Sequence, residues 1–165
     1  MEKVGNIQPY FQKKLNLLYK RREINSLSYI TIKFLLDFNR SDCIINHDKV
    51  LSNHQVKFLK NIVRQLMKNI PIQYILKETI FYNLKFYVNK NTLIPRPETE
   101  ELVKWILKHD FKSVLDIGTG SGCIAIAIAK NSNAKITATD ISLKALSVAK
   151  KNMMINKVNI KYIHH

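Results

Sequence analysis

Asp116, the run Gly118-Thr119-Gly120-Ser121-Gly122 and Asp140 are the residues whose types and spacing suggest chemistry. Glycines at alternate positions let a backbone turn tightly and approach a ligand with no Cβ in the way. A helix opening just behind such a turn offers unpaired amides to negative charge. Asp140 stands 22 residues after Gly118. At that separation an acidic side chain, ending the next strand, meets the ribose hydroxyls of a nucleoside. A carboxylate has lone pairs enough to accept both hydroxyls at once. Gly118, Thr119, Gly120, Ser121, Gly122 and Asp140 are therefore the candidate cofactor contacts.

The loop narrows the choice of cofactor. A phosphate-cradling loop needs Gly-Lys-Ser/Thr after its glycines, and none occurs. The dinucleotide fingerprint needs a third glycine where Cys123 stands. The spacing is instead Gly-x-Gly-x-Gly with Asp116 before it. This form suits S-adenosylmethionine, which carries a methionine carboxylate and ammonium in place of a pyrophosphate. Asp116 would help neutralise the positive end. A dinucleotide enzyme and another nucleotide binder stay open from this region alone.

The elements that must hold these residues read as strand, loop, helix and strand. Ser113 to Ile117 is a short strand, and Cys123 to Lys130 an apolar helix. Lys135 to Thr139 is a second strand ending at Asp140. Ser142 can cap a helix that turns Leu146, Ala149 and Met153 inward. Val158, Ile160 and Tyr162 alternate with Asn159 and Lys161 as a third strand. The alternation implies an α/β fold with a parallel, doubly wound sheet and right-handed crossovers. The strand at 113–117 would be left with one open side, an apolar edge prone to aggregation.

Upstream, Ile94-Pro95-Arg96-Pro97-Glu98-Thr99-Glu100-Glu101 fixes an extended lead-in, since two prolines so close cannot lie within a helix. A helix over Pro97 to His109 follows, acidic at its start and carrying Lys104, Lys108 and His109 at its end, as the macrodipole favours. Its predicted buried face is Leu102, Val103, Ile106 and Leu107, with Trp105 as packing. Thr79 to Tyr82 and Lys85 to Val88 read as a hairpin turning at Asn83-Leu84. The first seventy or so positions read as helices. Ser52-Asn53-His54-Gln55 has the capping-box pattern, followed by an inward stripe of Leu59, Ile62, Val63, Leu66 and Met67 and an outward one of Lys57, Lys60, Arg64 and Lys68. Leu27 to Phe38 is apolar nearly all round, with Ile30, Phe34, Leu35 and Phe38 prominent, and Pro9 to Arg22 is a weaker helix.

Composition bounds the class. With 165 residues, 46% hydrophobic, 4 Gly and 4 Pro, the chain is neither disordered nor collagen-like. No apolar run approaches bilayer length, and no signal peptide is visible. Two distant cysteines, Cys43 and Cys123, suit a reducing compartment, so a cytoplasmic location is expected. Five histidines show no ligand spacing, and no metal site is assigned. The net charge is +15, and 22 of the 27 basic residues are lysine. Heavy Lys, Ile and Asn use is what an AT-rich genome imposes; the same charge holds polyanions without specificity.

VLDIGTGSG, the Asp140 ending and the upstream LIPRPETEELV together resemble the release factor glutamine methyltransferases, the HemK/PrmC-type family. The resemblance runs over nearly the whole chain, including Pro71-Ile72-Gln73-Tyr74-Ile75, and is most specific at Ile94 to Glu100. It implies a helical substrate-docking domain over 1–72, a β-hairpin and linker over 73–96, and the N-terminal half of an S-adenosylmethionine-binding Rossmann-like domain over 97–165. It implies S-adenosylmethionine as cofactor. It implies N5-methylation of the glutamine in the Gly-Gly-Gln motif of class 1 peptide-chain release factors, which would be the protein partners. Two departures are local: Asn69-Ile70 where the family has Gly-Glu, and Lys77 at a usual glycine.

The family's Asn-Pro-Pro-Tyr motif, which grips the substrate amide, occurs nowhere in these 165 residues. No catalytic residue is assigned, and the chain is expected to be a partial form with little or no transfer activity. The alternative is a non-catalytic basic module that docks on an acidic protein or RNA. Arg96, Glu98 and Thr99 serve either as helix entry or as pocket lining, and Cys123 as packing.

Overall fold

The computed structural model describes residues 2–165. The chain divides into two compact units, one up to Leu76 and one from Lys77 to His165.

The first unit is helical. A 3-10 turn at Val4–Asn6 leads into α1 (Ile7–Leu15), whose Ile7, Phe11 and Leu15 recur at helical spacing and are all buried. The single helix expected over Pro9 to Arg22 is instead broken. The chain turns after Leu15 and α2 (Arg21–Leu36) packs back against α1. Leu17 and Leu18 are exposed, so a continued helix would gain nothing by burial there. Within α2 the buried face is Ile24, Leu27, Ser28, Thr31 and Ile32. The apolar-all-round reading overstated Phe34, which lies at the rim and stacks on Phe58 with ring centroids 6.0 Å apart. Thr31 lies in the core because its hydroxyl donates to the Leu27 carbonyl one turn back, 2.8 Å away. Asp37, in the left-handed conformation, ends α2 before Phe38.

A short α3 (Arg40–Ile45), which the sequence reading lacked, starts at a reciprocal Asn39/Asp42 capping box. The Ser52/Gln55 box opens α4 (Asn53–Leu66) as expected: Gln55 N–H donates to Ser52 Oγ at 3.2 Å, and Ser52 N–H to Gln55 Oε1 at 2.9 Å. Leu59, Ile62, Val63 and Leu66 are buried, but Met67 ends the helix and is exposed. The stripe Lys57, Lys60, Arg64 and Lys68 faces solvent. α5 (Ile72–Leu76) buries Ile72 and Leu76 in the same core, just beyond the expected boundary at 72. Asn69 (φ 57°) and Lys77 (φ 58°) are left-handed. These are the two positions where the resembled family uses glycine, which takes that conformation without a Cβ penalty.

The second unit opens with an antiparallel hairpin, β1 (Glu78–Phe81) and β2 (Leu84–Tyr87). Its turn is Tyr82-Asn83, both with positive φ (50° and 58°), one residue earlier than the sequence suggested. A two-residue turn of that hand matches the twist of the strands. It also turns Phe81 and Phe86 onto the same buried side, edge to face at 6.1 Å.

α6 is Thr99–Ile106, shorter at both ends than predicted. Only Val103 is fully buried; Leu102 is exposed, and Trp105, at 60% exposure, is not the packing residue expected. Its ring instead lies against His109.

Then follow β3 (Ser113–Ile117), α7 (Cys123–Asn131), β4 (Lys135–Asp140), α8 (Leu143–Asn156) and β5 (Lys161–His164). The three strands are parallel in the order β3-β4-β5, with Leu115 opposite Thr137 and Thr137 opposite Lys161. This is the α/β class the alternation implied, with a parallel sheet of Rossmann-like type. Val158 and Ile160 precede β5 rather than forming it, though Ile160 is buried. Helices α7 and α8 pack on the sheet side that carries Ile136 and Ala138. On the other side Leu115, Ile117 and Ile163 are exposed, and among the described residues β3 pairs with β4 alone. Among the described residues no helix is long and apolar enough to cross a membrane.

Candidate active site: the glycine loop and Asp140

β3 delivers the chain to the loop and β4 holds it there. The N–H groups of Gly118 and Thr119 both donate to the Thr139 carbonyl, each at 2.9 Å. Gly118, Gly120 and Gly122 all adopt positive φ (74°, 56° and 80°), the conformation that only glycine takes freely. The chain then folds back, Gly122 N–H donating to the Thr119 carbonyl at 2.8 Å, and α7 begins.

The position of Gly122 is the tightest. A Cβ there would lie 3.1 Å from Ile126 Cδ1, 3.2 Å from Ala149 Cβ and 3.2 Å from the Tyr162 hydroxyl. That hydroxyl donates to the Ala149 carbonyl at 3.2 Å, and burial pushes its pKa well above the usual tyrosine value. Around Gly118 the opposite holds: no atom lies within 4 Å of the site of a Cβ. The loop is thus packed at its helix end and open at its strand end.

Asp140 ends β4 beside the loop, as its spacing required. Its Oδ2 accepts the Gly120 N–H at 2.9 Å, and its Oδ1 accepts the Ser142 N–H at 2.8 Å. Each oxygen keeps a further lone pair. Ser142 in turn caps α8, its Oγ accepting the Ala145 N–H at 3.2 Å. One carboxylate therefore fixes the loop, the strand end and the helix start.

Asp116 is half-buried under the loop. Burial, opposed by the hydrogen bond from Thr119, raises its pKa above the usual carboxylate range, with the Asp140 charge adding to the rise. The Thr119 hydroxyl donates to Asp116 Oδ2 at 2.7 Å. Thr119 and Ser121 are buried, so of the six candidate contacts Gly118, Gly120 and Asp140 are the ones reachable from solvent. Ile141, directly after Asp140, is 83% exposed and adds an apolar surface next to the carboxylate.

Cys123 follows the loop, half-buried; its thiol pKa is raised, chiefly by burial, which fits a packing role rather than a reactive one. Arg96, Glu98 and Thr99 lie at the entry to α6, where the Arg96 carbonyl accepts the Thr99 N–H at 3.0 Å.

Two residues of this region escaped the sequence reading. Asn152 is fully buried in α8, and its side chain accepts the Tyr87 N–H at 2.7 Å while donating to the carbonyls of Tyr87 and Ser121, each at 2.9 Å. Asn156, one turn on, donates to the Lys85 carbonyl at 3.0 Å. The available signal was polar: both asparagines fall on the inward stripe that begins at Ala145 and Ala149.

A parallel sheet with a glycine turn after its first strand and an acid closing its second is the arrangement on which many α/β domains seat a nucleoside. Known proteins narrow this further. Residues 17–76 match the family model described as PrmC N-terminal domain, and residues 99–165 match that of ribosomal protein L11 methyltransferase (PrmA). The second match lies wholly within the second unit. The chain is 46% identical over 97% of its length to the release factor glutamine methyltransferase of Flavobacterium psychrophilum, covering 59% of that protein. It is 42% identical over 90% of its length to that of Bacteroides thetaiotaomicron and 41% over 82% to that of Streptococcus pneumoniae, covering 55% and 50% of them. The chain is thus similar in sequence to release factor glutamine methyltransferases over most of its length. It spans about half the length of the curated relatives it matches.

Proposed function

We propose that these residues form the cofactor-binding part of an S-adenosylmethionine-dependent methyltransferase acting on the N5 nitrogen of the Gly-Gly-Gln glutamine of class 1 release factors. The observation that carries the cofactor half is the juxtaposition of Asp140 with Gly120 beside an open Gly118. The residues fit the group. Asp140 keeps a lone pair on each oxygen for ribose hydroxyls, and the absence of a Cβ at Gly118 lets a ligand chain approach the backbone. Asp116 provides negative charge near the loop for the cationic methionine end. Ile141 offers an apolar surface for the base.

When bound, the sulfonium supplies both the methyl group and its leaving group. What this chain supplies is orientation. Holding a reactant in line with its target removes translational and rotational freedom before the reaction, which is where much of the rate enhancement arises. An amide nitrogen is a weak nucleophile because its lone pair is shared with the carbonyl. The Asn-Pro-Pro-Tyr motif of the resembled family is not among these 165 residues, so none of them is assigned to gripping the substrate amide. The release-factor specificity rests on the likeness to the named relatives and on the Ile94 to Glu100 stretch. A cytoplasmic setting goes with such a substrate.

The exposed basic stripe on α4 favours one other reading, a module that docks on an acidic protein or RNA without catalysis. Incubation with methyl-labelled cofactor and a release factor separates the two. A relative extended through the Asn-Pro-Pro-Tyr motif is expected to label the Gly-Gly-Gln glutamine. Docking of the partner with no cofactor uptake would contradict the proposal and favour the module.

A further inference from the structure

We infer that Asn152 is a positioning residue that couples the glycine loop to the β1–β2 hairpin, so that a ligand seated on the loop tightens the hairpin. This rests on the cofactor reading above and adds how that site communicates with the rest of the unit.

In an antiparallel pair, alternate residues aim their N–H and C=O groups away from the partner strand. On β2 those residues are Lys85 and Tyr87, and the outer edge they form is covered by side chains of α8 rather than by a strand. Asn152 takes both backbone groups of Tyr87, its Oδ1 accepting the N–H at 2.7 Å and its Nδ2 donating to the carbonyl at 2.9 Å. Asn156 takes the Lys85 carbonyl. A carboxamide has one further donor, and Asn152 gives it to the Ser121 carbonyl at 2.9 Å, inside the glycine loop.

The consequence is geometric. A primary amide is planar, so its two N–H bonds and its C=O have fixed relative directions. Asn152 cannot rotate to follow one partner without misaligning the bonds to the other. It is wholly buried, so no water replaces a lost bond, and leaving such groups unpaired is disfavoured. The loop at Ser121 and the hairpin at Tyr87 therefore share one rigid joint, although they lie 34 positions apart in the sequence. Beyond Tyr87 the chain runs on through the Pro95-Arg96-Pro97 lead-in, so order in the hairpin bears on where that lead-in starts.

Backbone hydrogen exchange at the Tyr87 amide reads the coupling directly, since that N–H is held by Asn152. S-adenosylhomocysteine is the probe, with its uptake by the 165-residue chain followed separately by calorimetry. Saturating ligand is expected to slow exchange at Tyr87 by about 5-fold or more, the low end of measured couplings between sites. Asn152→Asp keeps an acceptor for the Tyr87 N–H but has no donor for Ser121. If it folds, it should bind ligand with no change at Tyr87. Ligand uptake by the wild-type chain with unchanged Tyr87 exchange overturns the inference and leaves the cofactor reading intact, a result that needs no variant. A full response retained in Asn152→Asp also overturns it. No uptake by the wild-type chain overturns the cofactor reading and this inference with it.

Discussion

The Asp140 carboxylate accepts two backbone amides, from Gly120 and Ser142, before any ligand arrives. Its removal should therefore be felt twice. Asp140→Ala is expected to weaken S-adenosylhomocysteine binding. It is also expected to lower unfolding stability by about 1–3 kcal/mol, the penalty for leaving such partners unpaired. A denaturant titration beside a binding isotherm measures both, and an unchanged dissociation constant would count against the assigned site. Asp116 should behave in the opposite sense. Burial raises its folded pKa above the unfolded value, so the folded state holds the proton more tightly. Its contribution is most favourable below the ordinary aspartate range near about 4 and is lost as pH rises through the raised folded value. Asp116→Asn should consequently be more stable than wild type at neutral pH, with the difference vanishing towards pH 3, while binding the cationic ligand less well. Urea midpoints across that range test the sign; equal midpoints at neutral pH would refute it. The placement of the candidate site's acids and glycines beside one another was legible in the sequence because their partners lie in one β–loop–α–β run. Asn152 was not, since its partner Tyr87 lies 65 residues away.

At the scale of elements, local rules account for what could be read and tertiary packing for what could not. The Ser52/Gln55 box, β3, α7 and β4 follow from patterns within a few residues. The α1–α2 break does not, because it depends on α2 packing back on α1. Likewise the hairpin turn shifted by one residue because Phe81 and Phe86 must share a buried side. Trp105 was misread because spacing gives a helix face but not what covers it. Backbone conformation gives two graded expectations. Gly118→Ala meets only the left-handed penalty, about 1–2 kcal/mol. Gly122→Ala adds close contacts with Ile126, Ala149 and Tyr162 and should lose about 2–4 kcal/mol. Thermal unfolding of the pair should rank them in that order. Lys77, at φ 58°, is expected to gain about 0.5–1 kcal/mol as Lys77→Gly, the relief of left-handed strain less the added chain entropy. Lys77→Ala should give no such gain.

Within the second unit as a whole, the three-stranded sheet has one face covered by α7 and α8 and one left bare among the described residues. Leu115, Ile117 and Ile163 lie together on the bare face, Ile117 at 78% exposure, next to the unpaired edge of β3. Apolar surface beside an open edge invites association. Light scattering should show the 165-residue chain self-associating with rising concentration, and Ile117→Lys should reduce this without loss of stability. The +15 charge will hold polyanions in low salt whatever the chain's role, so binding tests belong at moderate ionic strength. The loop between β3 and α7 is expected to take the nucleoside of S-adenosylmethionine and not a dinucleotide. Calorimetry of the folded chain with S-adenosylhomocysteine and, in parallel, with NADH decides it. Saturable heat is expected with the first, lost or weakened in Asp140→Ala, and none with the second. Saturable uptake of NADH with no response to S-adenosylhomocysteine would contradict it.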